Sequence, residues 1–389
     1  MKRKAIIIGA GIAGPAIAMQ LQEIGFDVSV FEARMESEMN QGVFLGITPN
    51  GLNVLKHFID LKDLKKDFTS GNMAFYNSRD REIGKLDTNY QRERYGAETI
   101  QIRRSAISQL LRDESRKRGI VINYGYKLSK LVELDEKVSG HFENGQNASG
   151  DILIACDGAH SVTRSLLFPQ LPKAKYTKMI STGAITSGEN SDISFGKIKM
   201  LFGKRAFFAY ALSNQGDVWW FNNYYREKEP AKDEFQTTLQ QEIRARLLDI
   251  HRDDSETIRD IIRNTEEIFA YPIYEIPDIP KWHSRRICLI GDAAHATSPH
   301  IGQGASLALE DTIVLAKCLR LHNGFENAFA EFELQRKPRV EKLLRTARKI
   351  GNAKSAPNPV ATFFRDLLLR HFIKFEIRKM DWVYGWNGQ

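Results

Sequence analysis

The sequence contains very few cysteines. Its 389 residues include three, Cys156, Cys288 and Cys318, and no two of them form a CxxC pair or stand at a metal-ligand spacing. This pattern excludes a dithiol redox centre and predicts no metal site. Each cysteine has apolar neighbours, which predicts buried thiols in a reducing compartment.

Long apolar runs are also missing. No stretch of about 18 residues is free of both charge and glycine, so the sequence predicts no transmembrane helix. Residues 2–4 are basic and residues 5–8 are apolar, as in a signal peptide, but the apolar run meets Gly9 and lacks a cleavage site. We therefore expect a soluble cytoplasmic protein, either a monomer or a homodimer.

Acidic residues are outnumbered by basic ones. There are 56 lysines and arginines against 48 aspartates and glutamates, which gives a formal net charge of +8. A positive surface would suit a polyanion, but no nucleic-acid recognition motif accompanies the charge. The basic runs at 112–118 and 336–339 have acidic neighbours, which is typical of solvated helix faces. We expect no nucleic-acid partner.

A glycine-rich turn follows the first apolar run. Residues 5–8 predict a buried parallel strand, and residues 9–14 (GAGIAG) lead into an apolar helix. In such a GxGxxG turn the first glycine shapes the turn, the second lets the main chain approach a diphosphate, and the third lets helix and strand pack closely. Glu32 ends the next strand about 20 residues after Gly11, where an acid meets an unphosphorylated ribose. The segment therefore predicts a site for FAD or another ADP-ribosyl nucleotide rather than for NADP.

Two further predicted strands end in similar turns. Residues 151–156 (DILIAC) run into Asp157-Gly158, and residues 286–290 (RICLI) run into Gly291-Asp292. Buried strands that all end in loops at one edge are typical of an open α/β sheet with a ligand at its rim. Residues 176–225 alternate and are rich in aromatic side chains, which predicts antiparallel strands of a second, smaller domain.

The rest of the chain has a helical pattern. Residues 232–265 are polar and helix-like, and the chain becomes helical again beyond residue 331. Between residues 360 and 374 the apolar side chains fall on one helical face, which indicates an amphipathic helix. Such a helix packs across the domains or, alternatively, lies on a membrane surface.

Taken together, these motifs resemble those of the class A, single-component FAD-dependent aromatic hydroxylases, similar to tetracycline-inactivating, salicylate-hydroxylating and urate-hydroxylating flavoproteins. The resemblance rests on five segments in the family's order: the GxGxxG turn with Glu32, residues 42–50 (GVFLGITPN), Arg104, residues 157–164 (DGAHSVTR), and residues 291–311, which contain GDAAH, a proline and GQG. It implies an α/β fold with a Rossmann-like FAD-binding domain, an inserted β-sheet substrate domain and a C-terminal helical segment. The expected FAD-binding domain comprises residues 1–70, 96–175 and 280–330, the substrate domain residues 71–95 and 176–279, and the helical segment residues 331–389.

The same resemblance implies a set of cofactor-binding residues. In the family the aspartate of GDAAH, here Asp292, bonds the ribityl chain, and a basic residue matching Arg34 lies near the adenosine. Ser306 departs from the asparagine that many members carry after GQG. The expected cofactor-binding residues are Gly9, Gly11, Ile12, Ala13, Gly14, Glu32, Arg34, Arg104, Asp157, Asp292, Gly302, Gly304 and Ala305.

The activity that the resemblance implies is hydroxylation of an aromatic or polycyclic small molecule. Among such substrates, we favour a tetracycline-type compound. FAD would be held non-covalently, NAD(P)H would bind transiently to reduce it, and O2 would form a flavin hydroperoxide that transfers one oxygen atom. Pro299 and Arg205 are expected in catalysis, while Arg205, Tyr210 and Trp220 are expected to contact the substrate. His295 is expected to be a packed, hydrogen-bonded loop residue rather than a general base.

Two missing motifs narrow the reaction. There is no second GxGxxG for a separate NADPH domain, and the WxWxIP segment of flavin halogenases is absent. Two alternatives to the hydroxylase stay open: an FAD-dependent reductase or dehydrogenase of an isoprenoid-like substrate, and a flavin-binding module without turnover. The intact GDAAH and GQG segments argue against the module.

Overall fold

The secondary structure was assigned on a computed structural model that describes residues 2–39, 44–64, 68–188, 193–231, 234–296, 302–354 and 380–388. The strands are β1 (Lys4–Ile8), β2 (Asp27–Glu32), β3 (Phe44–Ile47), β4 (Phe68–Ser70), β5 (Asn72–Tyr76), β6 (Glu82–Leu86), β7 (Ile100–Arg103), β8 (Val121–Tyr124), β9 (Leu128–Glu133), β10 (Val138–Phe142), β11 (Asn147–Gly150), β12 (Ile152–Ala155), β13 (Lys175–Ser187), β14 (Lys197–Phe202), β15 (Ala206–Leu212), β16 (Asp217–Tyr225), β17 (Phe269–Glu275) and β18 (Ile287–Leu289). The helices are α1 (Ala13–Glu23), α2 (Pro49–Leu55), α3 (Thr88–Tyr95), α4 (Arg104–Lys117), α5 (Val162–Leu167), α6 (Glu234–Thr237), α7 (Gln240–Ile250), α8 (Glu256–Arg263), α9 (Asp292–His295), α10 (Gly304–Leu321), α11 (Phe325–Lys354) and α12 (Asp381–Tyr384).

A parallel sheet of five strands forms the first half of the architecture, in the order β18-β12-β1-β2-β8. Its central strands are short apolar runs because they are buried, with α1 packed on β1 and β2. The carboxyl ends of β1, β12 and β18 lie at one edge and lead into the glycine turn, Asp157 and Asp292. The predicted open α/β sheet with a further β-sheet is confirmed.

A seven-stranded sheet forms the second half, in the order β17-β13-β16-β15-β14-β5-β6. Helices α7 and α8 cover one face of it, where Leu247 and Ile258 pack with Phe208 and Trp220. Successive residues of a strand point to opposite faces, so Trp219 and Phe221 point to the face that is not covered by these helices. Phe44 of β3 contacts both of these rings, at centroid distances of 5.4 and 5.9 Å.

Helix α11 packs against α10, and α12 packs against α2. The expectation that the basic runs form solvated helix faces is wrong at two positions, because Arg336 is 1% exposed and Arg112 is fully buried. Arg112 donates a hydrogen bond to the side-chain oxygen of Gln109 at 2.6 Å.

The predicted amphipathic segment at 360–374 lies outside the described residues. None of the described helices combines the length and apolar composition that a membrane crossing requires.

Candidate active site

The three glycines of the turn after β1 have different surroundings. Gly9 adopts a φ of +102°, and a Cβ atom there would lie 2.5 Å from the carbonyl oxygen of Cys156. A Cβ atom on Gly14 would lie 1.8 Å from the carbonyl oxygen of Gly9, whereas one on Gly11 would meet no atom within 4 Å. The fold therefore requires Gly9 and Gly14, while Gly11 faces open space at the beginning of α1.

Glu32 is held beside this turn. Its Oε2 atom accepts a hydrogen bond of 2.7 Å from the main-chain N–H of Ala10, and its Oε1 atom accepts one of 3.0 Å from the N–H of Arg34. No side chain caps α1, whose first residues are Ala13 and Gly14 after Ile12. Their unpaired N–H groups make this helix end suited to a diphosphate. Glu32 lies beside the same turn, where its carboxylate can accept hydrogen bonds from a ribose.

The side chains of Arg34, just after β2, and of Arg104 are exposed. Arg104 is the first residue of α4 and follows directly after β7. Both arginines are therefore open to an anionic ligand, as a cofactor-binding role requires.

Asp157 organises the loop after β12. Its carboxylate accepts hydrogen bonds from the Ser161 hydroxyl at 2.6 Å and from the N–H and hydroxyl of Thr163 at 2.9 Å. Burial raises the pKa of Asp157, and these hydrogen bonds oppose that rise. Arg164 then donates to the carbonyl oxygens of Ala293 and Ala159, at 2.8 and 2.7 Å. The DGAHSVTR segment is thereby fastened to the GDAAH segment.

Asp292 is exposed at the beginning of α9. Its Oδ1 atom lies 3.9 Å from where a Cβ atom on Gly304 would stand, so the carboxylate borders the first turn of α10. Gly302 has a φ of +62°, and Gly304 and Ala305 open the helix with N–H groups that no side chain caps. This helix end is suited to an anionic group. Pro299 lies outside the described residues.

A buried polar cluster lies directly behind that loop. Gln303 donates to the hydroxyl of Thr48 at 2.8 Å, and Asn50 donates to Gln303 at 3.1 Å and to Glu310 at 2.6 Å. The N–H of Thr48 donates to the hydroxyl of Ser306 at 3.2 Å. The segment after β3 is thus fixed to the first turns of α10.

Two buried acids of α10 connect this cluster to α11. Glu310 accepts hydrogen bonds from Arg336 at 2.6 Å and from Arg339 at 2.8 Å, and Asp311 accepts one from Arg336 at 2.7 Å. His295 Nε2 lies 2.7 Å from Asp311 Oδ2, which confirms His295 as a packed, hydrogen-bonded residue. Burial would raise the pKa of Asp311, but His295 and Arg336 hold it below its usual value.

An aromatic cavity lies between β3 and β7 on one side and the seven-stranded sheet on the other. Its wall includes Phe44, Gln101, Ala209, Trp219 and Phe221. Phe44 lies at the opposite end of β3 from Thr48, so this one strand connects the cavity to the polar cluster at α10. The cavity has a volume of about 10 Å³, which leaves room for about one water molecule.

The structure does not bring the predicted substrate residues together in this cavity. The prediction for Trp220 is wrong, because its ring is fully buried on the opposite face and its N–H donates to Thr265 at 3.0 Å. Tyr210 borders the cavity, but its ring packs beside Phe208 on the helix-covered face. Arg205 donates to the Asp249 carbonyl at 3.3 Å and pairs with Asp253 at 3.3 Å, so its substrate contact stays a prediction.

Comparison with known proteins decides the family. The sequence matches the model of the FAD binding domain family over residues 2–347. The chain belongs to this family. A 6-hydroxynicotinate 3-monooxygenase from Pseudomonas fluorescens is 29% identical over 355 residues, which cover 87% of this chain and 89% of that protein.

Solved structures agree with this FAD-binding family. HpxO of Klebsiella pneumoniae, crystallised with FAD and uric acid, is 25% identical with a TM-score of 0.85, and the match covers 97% of this chain and 95% of that chain. The tetracycline destructase Tet(51) is 18% identical with a TM-score of 0.70, covering 97% and 98% of the two chains, and therefore supports the fold alone.

The residues of the site fit the FAD that the family binds. The open space at Gly11 and the uncapped beginning of α1 suit the diphosphate, and Glu32 suits the adenosine ribose. The exposed carboxylate of Asp292 is placed to accept hydrogen bonds from hydroxyl groups, as on the ribityl chain. The end of α10 at Gly304 offers N–H groups to the flavin ring.

Sequence reasoning missed the polar cluster and Trp219. Glu310 and Asp311 interrupt an otherwise apolar helix, and this is a signal that they require buried cationic partners. For Trp219 the available signal was the alternation of β16, in which one of two adjacent tryptophans must point to each face.

Proposed function

We propose that this chain is an FAD-dependent monooxygenase that uses NAD(P)H and O2 to hydroxylate an aromatic small molecule. The observation that carries the proposal is the edge of the parallel sheet at Gly11, Glu32 and Asp292, which suits FAD. Strand β3 connects the residues that fix the cofactor loop to the aromatic ring of Phe44. The 6-hydroxynicotinate 3-monooxygenase relative and the uric acid in HpxO support an aromatic substrate class. Three free thiols support a cytoplasmic location.

The protein's own part in this reaction is binding and exclusion of water. FAD supplies the oxidation–reduction chemistry once it is bound. Asp292 and the N–H groups at Gly304 orient the ring system, and the packed rings of Phe44 and Phe221 form an apolar wall. An apolar wall also keeps water away from reactive species, which a monooxygenase needs.

The experiment that tests the proposal follows oxygen atoms. Purified holoenzyme is incubated with NADPH or NADH, isotopically labelled O2 and a panel of phenols, N-heteroaromatic compounds and tetracyclines. We expect one compound to accelerate NAD(P)H oxidation and to gain one oxygen atom that carries the label. A product that gains hydrogen without label would favour the isoprenoid-type reductase. A flavin that neither nicotinamide reduces in any mixture would favour a binding module.

A further inference from the structure

The loop at the beginning of α10 has a glycine on each side of a single longer side chain. Gly302 has a φ of +62°, Gly304 is the first residue of the helix, and Gln303 between them is buried. Because glycines leave the main chain conformationally free, the shape of this loop depends on what holds Gln303. Both ends of its side-chain amide are hydrogen-bonded, Oε1 to Asn50 and Nε2 to Thr48.

Thr48, Asn50 and Gln303 form a closed ring of hydrogen bonds. The Thr48 hydroxyl donates to Asn50 Oδ1 at 2.7 Å, the Asn50 amide donates to Gln303 Oε1 at 3.1 Å, and the Gln303 amide donates back to Thr48 Oγ1 at 2.8 Å. All three side chains are buried. Each member is both donor and acceptor, so the bonds strengthen one another and the ring resists rearrangement.

The direction of the hydrogen bonds in this ring is dictated by Glu310. Its carboxylate, which is paired with Arg336 at 2.6 Å, accepts a bond of 2.6 Å from the Asn50 amide nitrogen and cannot donate. Asn50 therefore turns its oxygen towards Thr48, and the Thr48 hydroxyl must donate to it. Thr48 Oγ1 is then left to accept, so Gln303 faces it with its amide nitrogen. The buried ion pair thus determines the orientation of the one side chain that anchors the loop.

Thr48 takes part in this ring although it stands where a threonine ordinarily caps a helix. It is the N-cap residue of α2, but within residues 49–55, all of which the structure describes, no main-chain N–H donates to its hydroxyl. The hydroxyl contacts Ser306 Oγ at 2.8 Å in addition to the two other members of the ring. Loss of this hydroxyl would therefore remove no cap from α2 and would release the anchor of the loop.

We propose that Thr48 is a positioning residue for the flavin: by closing the ring around Gln303, its hydroxyl holds the N–H groups at the beginning of α10 in the orientation that stabilises reduced FAD. The oxidised flavin ring is uncharged and the reduced ring carries a negative charge, so N–H groups at a helix beginning favour the reduced form. A loop without its anchor would lose part of this preference, and the reduction potential of bound FAD would fall. The inference rests on the binding of FAD and goes beyond the proposed hydroxylation.

The test compares Thr48→Val with Thr48→Ser in the holoenzyme. The reduction potential of the bound flavin is measured by anaerobic titration against a redox dye of known potential, without a nicotinamide and without a substrate. Valine keeps the shape of threonine and lacks the hydroxyl. We therefore expect the preference for reduced over oxidised FAD to fall about tenfold, which lowers the potential of this two-electron couple by about 30 mV. Serine keeps the hydroxyl, so the preference should stay within about twofold of the wild-type value.

Thr265→Val is the matched control for a loss of stability. Thr265 is also buried, and its hydroxyl accepts a hydrogen bond from Trp220 and donates one to the carbonyl oxygen of Ile261, in the part of the protein built on the seven-stranded sheet. This variant should lower the unfolding temperature and leave the potential unchanged. Gln303→Met cuts the same ring from the side of the loop. It should lower the potential as Thr48→Val does, and it takes the place of Thr48→Val if that variant does not fold.

Two results would overturn the inference: a wild-type potential in Thr48→Val or Gln303→Met, or an equal fall of the potential in Thr265→Val, which would attribute the shift to lost stability. These results are separable from a failure of the proposed function, because the dye titration needs neither NAD(P)H nor O2. A chain that transfers no labelled oxygen can still give the expected potentials. An active monooxygenase whose potential is the same with and without the Thr48 hydroxyl rejects this inference alone.

Discussion

The side-chain amide of Asn50 donates a 2.6 Å hydrogen bond to the carboxylate of Glu310, a contact between residues that are both fully buried. Asn50 lies in α2, just after β3, and Glu310 lies in α10 two turns beyond Gln303. The contact fixes the strand that borders the aromatic cavity to the helix that begins at the cofactor loop. The position of this loop therefore depends on a charged cluster inside the protein.

Replacing Glu310 by glutamine should destabilise the protein strongly. The amide of glutamine would place a donor against the guanidinium groups of Arg336 and Arg339, which both donate to Glu310 now. Loss of one partner in a buried ion pair costs about 3–5 kcal/mol of unfolding free energy. Denaturant unfolding measures this loss. The control Glu326→Gln removes an exposed carboxylate 3.8 Å from Lys281 and should cost less than about 1 kcal/mol.

Alanine at Gly11 and at Gly14 should give opposite phenotypes. At Gly11 a methyl group meets no protein atom within 4 Å, so the apoprotein should keep its unfolding temperature. FAD affinity should fall at least tenfold, because the methyl group occupies the space that the diphosphate needs. At Gly14 the methyl group collides with the Gly9 carbonyl, so the fold itself should fail. Thermal unfolding of apoprotein and FAD titration separate the two effects. Unchanged FAD affinity in Gly11→Ala would place the diphosphate elsewhere.

Asp292→Ala should release FAD without harming the fold. The carboxylate is exposed, and the described residues form no hydrogen bond or ion pair with it, whereas a bound ribityl chain would lose its acceptor. We expect FAD to be lost on gel filtration and the apoprotein unfolding temperature to change by little. Asp135→Ala, another exposed acid, serves as the control for charge. A variant that remains yellow would reject this role for Asp292.

Acid should unfold the protein partly through Asp311. Its pKa in the folded state lies below the usual value of 3.8, because His295 and Arg336 stabilise the charged form. The contribution of the ionised Asp311 to the unfolding free energy is therefore complete above about pH 4. It is lost as the pH falls through the folded-state pKa. Asp311→Asn should be less stable at neutral pH and should show a flatter decline of unfolding free energy below about pH 4. Parallel curves for variant and wild type would assign the acid sensitivity to other groups.

Much of the fold could be predicted from local sequence, since apolar strands that end in glycine or aspartate determine both the parallel sheet and its rim. The orientation of β16 could not be predicted, because apolar side chains occupy both of its faces. Alternation alone does not say which face meets the helices. The burial of Arg336 could not be predicted from local sequence either. Its acidic partners, Glu310 and Asp311, lie in another helix, and only tertiary packing brings them within hydrogen-bond distance.

Arg339 also donates hydrogen bonds to the carbonyl oxygens of Trp382 and Val383, at 2.8 and 3.0 Å. During synthesis these carbonyls leave the ribosome after every other member of the Glu310 cluster. The segment around α12 is therefore the last piece to join the support behind the cofactor loop. A chain that ended before Trp382 would lose both of these acceptors of Arg339 and would support the cofactor loop less firmly.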